Sequence, residues 1–264
     1  SLPGVPYEMK GIMSEVVIPK LNGQFALQSM FYKTAMTQGI GESFLAEKIK
    51  DWEDKIYDSG YSLAYLPSPG IVKLRITSPF GKKDELEIDK LFKELEIQIP
   101  RYFFGYDSDT LSSVIGQQLK DNSLTIGTVE SCTSGKLAST ITEVPGASNY
   151  YMGSLLTYSN ELKHKLANVS KDVIRKHGAV SEKVAIEMAQ GGRNVLGVDI
   201  CISTTGIAGP DGGSKEKPVG LVWIAIATPE KTTSHRLQFS QHRGRNINMT
   251  SLSALNLLRI ALNE

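Results

Sequence analysis

Three short, almost unbroken apolar runs dominate the second half of the chain: "LTIGTV" (124–129), "ICISTTGIAG" (200–209) and "GLVWIAIAT" (220–228). A strand with one face in water alternates polar and apolar residues. A strand covered on both faces has no need to, and it reads as a continuous apolar segment. Between and around these runs lie amphipathic segments of helical period: "DTLSSVIGQQLKD" with Asp109 near its cap, "NELKHKLANV", "KDVIRKHG", "SEKVAIEMAQGGRNVLG" with Ser181 as its cap, and "NINMTSLSALNLLRIALN". "YYMGSLLTYS" and "SHRLQFS" read as further strands. Buried strands alternating with helices predict a three-layer α/β/α sandwich over residues 107–264.

The first half has a different texture. "FALQSMFYKTAM" (25–36) reads as a strand, and "SFLAEKIKDWEDKIYD" as one amphipathic helix started by Glu42 or Ser43. "SLAYLPSP" and "IVKLRITSP" read as two strands joined by a Pro/Gly turn, followed by the helix "KDELEIDKLFKELEIQI". This predicts a small α+β module over 13–106, of order βαββα, with "YFFGYD" as the link onward. Residues 1–12 read as an extended, Pro/Gly-punctuated leader. The start at Ser1 and the texture of "LPGVP" suggest a piece of a longer protein.

Bulk properties exclude several classes. The 264 residues carry 29 Lys and Arg against 28 Asp and Glu, a formal net charge of +1. There is no global basic field to hold nucleic acid or anionic lipid. The two cysteines, Cys132 and Cys201, have neither metal-type nor disulfide-type spacing, which fits a reducing cytoplasm. The four histidines are scattered, so no metal site is predicted. No apolar run approaches the length needed to span a bilayer, and the N-terminus lacks the pattern of a secretory signal.

Chemistry-bearing residues cluster in four places. "TVESCTSGK" (128–136) sits where a buried strand runs directly into a predicted helix, the position where open α/β sheets bind ligands. Ser131 stands at that junction as a candidate nucleophile, although Ser131 or Thr133 would serve equally as an N-cap. Cys132 is a tempting thiol but more in keeping with packing. "TYSNELKHK" (157–165) offers Tyr158 and, one turn into a helix capped by Asn160, Lys163. "TTGIAGPDGGSKEKPVG" (204–220) is a Gly-rich loop that lacks the Walker A pattern. "HRGR" (242–245) offers Arg243 or Arg245 to a phosphate.

Together, "ESCTSG", "TYSNELKHKL", "HGAVSE", "STTGIAGPDGGSKEKPVG" and the late Arg resemble the CinA C-terminal domain family, the nicotinamide-nucleotide amidases, from about Asp107 to Asn263. Residues 1–106 resemble the middle portion of full-length CinA proteins, where a small linker module follows a molybdopterin-binding-like domain. "LPGVPYEMKGIM" looks like the tail of that upstream domain. The resemblance implies hydrolysis of the carboxamide of nicotinamide mononucleotide to nicotinic acid mononucleotide and ammonia. It implies Ser131 as nucleophile, Lys163 as base and Tyr158 beside them. Thr133, Gly206, Gly209, Gly212 and Arg243 are implied at the substrate. Backbone N–H groups at the helix start after Ser131 are expected to hold the oxyanion. No cofactor, metal, nucleic acid or membrane is implied; the partner is a small nucleotide substrate, and a homo-oligomer stays open. Two departures stand out: Ser134 replaces a family Gly in "ESCTGG", and "QHR" stands where the family has "GDR". The competing expectation is a non-catalytic nucleotide-binding or scaffold fragment.

Overall fold

The computed structural model describes residues 4–25 and 30–263. It begins with α1 (Pro6–Ile12), a π-helical turn over Met13–Val17 and α2 (Ile18–Gln24). The extended leader expected over 1–12 is therefore helical from Pro6, where a proline at the first helical position has its ring accommodated and needs no N–H partner. Residues 1–3 lie outside the described residues.

The first sheet comprises β1 (Phe31–Gln38), β2 (Ser62–Ser68), β3 (Ile71–Ser78) and β4 (Phe103–Tyr106), with α3 (Glu42–Lys48) and α4 (Lys50–Asp58) after β1 and α5 (Glu85–Gln98) after β3. Its order is β2-β3-β1-β4, antiparallel throughout. The strand expected at 25–36 begins at Phe31, and residues 26–29 of that prediction lie outside the described residues. The single helix expected at 43–58 is broken at Ile49, which leaves helical geometry (φ −109°, ψ 16°) so that Leu45, Ile49, Trp52 and Ile56 all bury against the sheet. "YFFGYD" is a strand rather than a link, because its backbone pairs with β1. Trp52, Phe92 and Leu95 sit with Leu74 and Ile76 in a closed core. Each such side chain contributes about 1.5–3 kcal/mol by leaving water.

The second unit follows with α6 (Leu111–Asp121), β5 (Ile126–Glu130), α7 (Lys136–Thr142), β6 (Tyr151–Leu156), α8 (Asn160–Ala167), α9 (Lys171–His177), α10 (Glu182–Leu196), β7 (Ile200–Gly206), β8 (Leu221–Ala227), β9 (Thr232–Gln238) and α11 (Arg243–Ala261). The sheet order is β6-β5-β7-β8-β9, with β6, β5 and β7 parallel and β8 and β9 antiparallel. One face carries α6, α7 and α11 over Ile126, Ile202 and Ile224. The other carries α8 and α10 over Val129, Cys201 and Ala225. This is the α/β/α sandwich that the buried strands require. The cap of α6 is Thr110, whose hydroxyl exchanges bonds with Ser113, rather than Asp109. Ser181 caps α10 as expected.

The two sheets are joined through α11. Arg259 donates to the carbonyls of Pro100 (3.2 Å) and Arg101 (2.9 Å), and Asn256 donates to Arg101 (3.3 Å). These buried side chains satisfy carbonyls left free where the chain turns into β4. Met36 and Phe104 of the first sheet continue the core of the second.

Candidate active site

The site is built at the carboxyl ends of β5, β6 and β7. The chain leaves β5 over one face of the sheet through α7 and later covers the other face through α8–α10, so a crevice opens beside the end of β5. Beyond Glu130, the Ser131 amide still donates to Thr204 of β7 (3.0 Å), and the Thr157 amide donates to the Glu130 carbonyl (2.8 Å). Ser131 is thus pinned between both neighbouring strands.

The expected direct passage from strand to helix is not what forms. Residues 131–135 make a turn and α7 starts only at Lys136, because Ser134 (φ 51°) and Gly135 (φ 89°) are both left-handed. The free N–H groups of the first turn are taken by the fully buried Glu130. Its carboxylate accepts from Gly135 (2.9 Å), Leu137 (3.1 Å) and Ala138 (2.8 Å). A negative group at the positive end of a helix is favoured there. Neither Ser131 nor Thr133 is the cap, and the helix-start amides expected at an oxyanion are already occupied. The amides of Cys132 and Thr133 donate to no other residue among the described ones, and they lie immediately after the serine.

Lys163 meets Ser131 from α8. That helix is capped by Ser159, whose hydroxyl accepts from Leu162 (3.1 Å), not by Asn160. Lys163 lies one turn in, on the face toward the sheet, and is 1% exposed. Its Nζ donates to the Thr157 carbonyl (2.7 Å) and to Ser131 Oγ (2.9 Å). Among the described residues no carboxylate forms an ion pair with it. Burial pushes its pKa down to about 8, with the neighbouring Cys132 thiol acting in the opposite sense. Ser131 is 8% exposed, so its hydroxyl is reachable from one side only. Burial pushes the Cys132 thiol up to about 12, which makes it a packing residue in chemical terms.

Tyr158 is 63% exposed at the mouth. Arg243, the first residue of α11, donates to the Gly209 carbonyl (3.0 Å) and to the Tyr158 hydroxyl (3.3 Å), bridging the Gly-rich loop to the strand end. Ser131, Lys163, Tyr158, Asn160, Gly206 and Arg243 line one cleft of about 180 Å³.

The remaining predicted residues are placed differently. Thr133 does not line the cleft; it is buried with its hydroxyl against that of Thr204 (2.7 Å). Gly206 lines the cleft, but a Cβ there would meet Val222 and the Leu221 carbonyl at 2.7 and 2.8 Å, so close packing on β8 accounts for the glycine. Gly209 (φ 88°) takes part through its carbonyl. Gly212 (φ 87°) shapes the loop away from the cleft.

Glu130, the Thr157 carbonyl and Asn160 are site components that sequence reasoning did not single out. Only Glu130 left a signal: a carboxylate ending an almost unbroken apolar run has to find partners. Among the described residues no group of three His, Cys, Asp or Glu side chains is arranged to hold a metal ion. No helix there is long and apolar enough to cross a membrane.

Comparison with known proteins returns two family matches: the CinA C-terminal domain over residues 108–262 and the damage-inducible protein CinA KH domain over 32–106. A CinA-like protein of Cytophaga hutchinsonii is 46% identical over 266 residues, and one of Flavobacterium psychrophilum is 42% identical over 261. The chain is matched over 100% and 98% of its length but spans only 63% and 62% of theirs. Among solved structures, the competence/damage inducible protein CihA of Agrobacterium tumefaciens is similar at 35% identity and a TM-score of 0.57, covering 58% of this chain and 94% of that one. A competence damage-inducible protein A of Klebsiella pneumoniae gives 30%, 0.57, 58% and 96%. KH domains clamp nucleic-acid backbones with a G-x-x-G loop. No two glycines in 32–106 stand three residues apart, so that loop is missing from this module.

Proposed function

Because this chain belongs to the CinA family, we propose that it is a nicotinamide mononucleotide deamidase, hydrolysing the carboxamide to nicotinic acid mononucleotide and ammonia. The observation that carries the reading is the buried Lys163 amine 2.9 Å from the Ser131 hydroxyl. A serine attacks an amide only when a base takes its proton. A lysine serves as that base only when an appreciable fraction is neutral, and burial of Lys163 supplies the condition.

In this reading neutral Lys163 removes the Ser131 proton as Oγ attacks the carboxamide carbon. The Thr157 carbonyl holds the amine in place through the transfer. The negative oxygen of the tetrahedral intermediate is stabilised by the Cys132 and Thr133 amides. The Lys163 ammonium then returns its proton to the departing nitrogen, which leaves as ammonia, and a nicotinoyl ester remains on Ser131. Water, deprotonated by the same amine, cleaves the ester and regenerates the serine. Arg243 and Tyr158 at the mouth suit the substrate phosphate and ribose.

The test is ammonia release from nicotinamide mononucleotide by the purified chain, with nicotinic acid mononucleotide as the matched product. Stoichiometric appearance of both supports the reading, and absence of both overturns it in favour of a non-catalytic nucleotide-binding module.

A further inference from the structure

A second and larger cleft, of about 880 Å³, lies where the small module meets the sandwich. Its size falls within the roughly 300–1,000 Å³ typical of ligand pockets. Its walls are Gln38 at the end of β1 with residues 39–42 that follow, the β2–β3 hairpin at 67–72, the end of β9 and the first half of α11. Ile71, Leu237, Phe239 and Met249 supply an apolar lining.

Gln38 is the unexplained member. It ends β1 and is 1% exposed. Its backbone N–H is paired with Tyr102 (2.9 Å), but its buried side-chain Nε2 has no hydrogen-bond partner among the described residues. Buried amides are almost always paired, so an orphan at the edge of a cleft calls for a missing partner. A glutamine amide presents a donor and an acceptor side by side, which matches the edge of a purine such as adenine.

Glu42 and Arg245 are the charged residues lining this cleft, and His242 lines it beside them. Arg245 is exposed on the first turn of the 19-residue α11, and His242 caps that helix by accepting the Arg245 amide (3.2 Å). A guanidinium beside a helix N-terminus suits a phosphate. Glu42 supplies the acceptor that a ribose hydroxyl needs.

We propose that this inter-module cleft binds a purine mononucleotide, with the base at Gln38 and the phosphate at Arg245 and the amino end of α11. The site is distinct from the cleft at Ser131. The two share only the first turn of α11, whose Arg243 lines one and whose Arg245 lines the other.

The test is isothermal titration of the 264-residue chain with AMP, adenosine and inorganic phosphate, none of which has a carboxamide to hydrolyse. AMP is expected to bind at one site, and adenosine and phosphate each at least tenfold more weakly. Arg245→Ala and Gln38→Leu should each weaken AMP at least tenfold with an unchanged melting temperature, while Ser131→Ala and Lys163→Ala bind it like the wild type. If Gln38→Leu does not fold, the exposed Arg245 decides alone. Absence of saturable AMP binding, equal binding of phosphate alone, or loss of binding in Arg243→Ala but not Arg245→Ala overturns the proposal.

Discussion

The amine of Lys163 sits 2.9 Å from the hydroxyl of Ser131, although the two residues are 32 positions apart and belong to different elements. The pairing depends on sheet order. β6 lies beside β5, so the helix that follows β6 delivers its first turn over the end of β5. Thr157, between them, gives its N–H to Glu130 and its carbonyl to Lys163, so one residue fixes both partners.

The proposed mechanism makes activity depend on pH in a definite direction. In it the neutral form of Lys163 is the active one, and burial pushes the pKa of this lysine down to about 8. The kcat/KM for nicotinamide mononucleotide should rise with pH, falling about tenfold per unit well below the limb and levelling above it. Lys163→Arg keeps the charge but stays protonated, and it should lose at least about 1,000-fold in kcat. Lys136→Ala and Lys165→Ala, which remove surface pairs with Glu143 and Glu161, should remain active. A pH profile flat from 6 to 9, or near-normal turnover by Lys163→Arg, would make the lysine a fixed charge and move the base elsewhere.

Cys132 should be dispensable. With its thiol pushed up to about 12, it is essentially protonated at neutral pH. Cys132→Ala is expected to keep most of the turnover, and iodoacetamide at pH 7 should modify it slowly in the native protein. Rapid alkylation with parallel loss of activity would argue for a thiol mechanism.

Glu130 should matter to both stability and rate without touching substrate. Three backbone amides converge on its carboxylate. Glu130→Gln leaves one acceptor oxygen for three donors and should lower unfolding stability by about 2–4 kcal/mol. The loop that aims Ser131 should loosen with it, lowering kcat more than raising KM. Chemical denaturation and steady-state kinetics on the same preparation check both, and unchanged stability would show that the turn is held elsewhere.

Much of this arrangement was legible in the residues. The buried strands predicted the sandwich, and "ESCTSG" and "TYSNELKHK" contained the pair that meets in the cleft. What stayed hidden depends on partners distant in sequence. The Ser131–Gly135 turn reads as helix until Glu130 is seen to claim the helix-start amides and Ser134 to adopt a left-handed backbone. β4 reads as a link because its strand character comes only from pairing with β1. The helical Pro6–Ile12 stretch reads as extended because Pro and Gly mask its period, and it has no buried residue to reveal a packed face.

Ser134 tests the cost of the family departure. Its left-handed backbone (φ 51°) disfavours a side chain by about 1–2 kcal/mol relative to glycine. Its hydroxyl offsets part of this by donating to the Ser131 carbonyl at 3.3 Å. Ser134→Gly should therefore be close to neutral in melting temperature and keep activity. Ser134→Val, β-branched and without the hydrogen bond, should be clearly destabilised. Equal stability of the two variants would show that the turn relaxes out of the left-handed region.

The most direct test of the central claim is turnover of nicotinamide mononucleotide by Ser131→Ala beside the wild-type chain, with ammonia and nicotinic acid mononucleotide both quantified and folding verified by circular dichroism. The wild type should form both products in equal amounts, and the folded variant should form them at under about one thousandth of that rate. Comparable product formation by Ser131→Ala would contradict the serine–lysine mechanism.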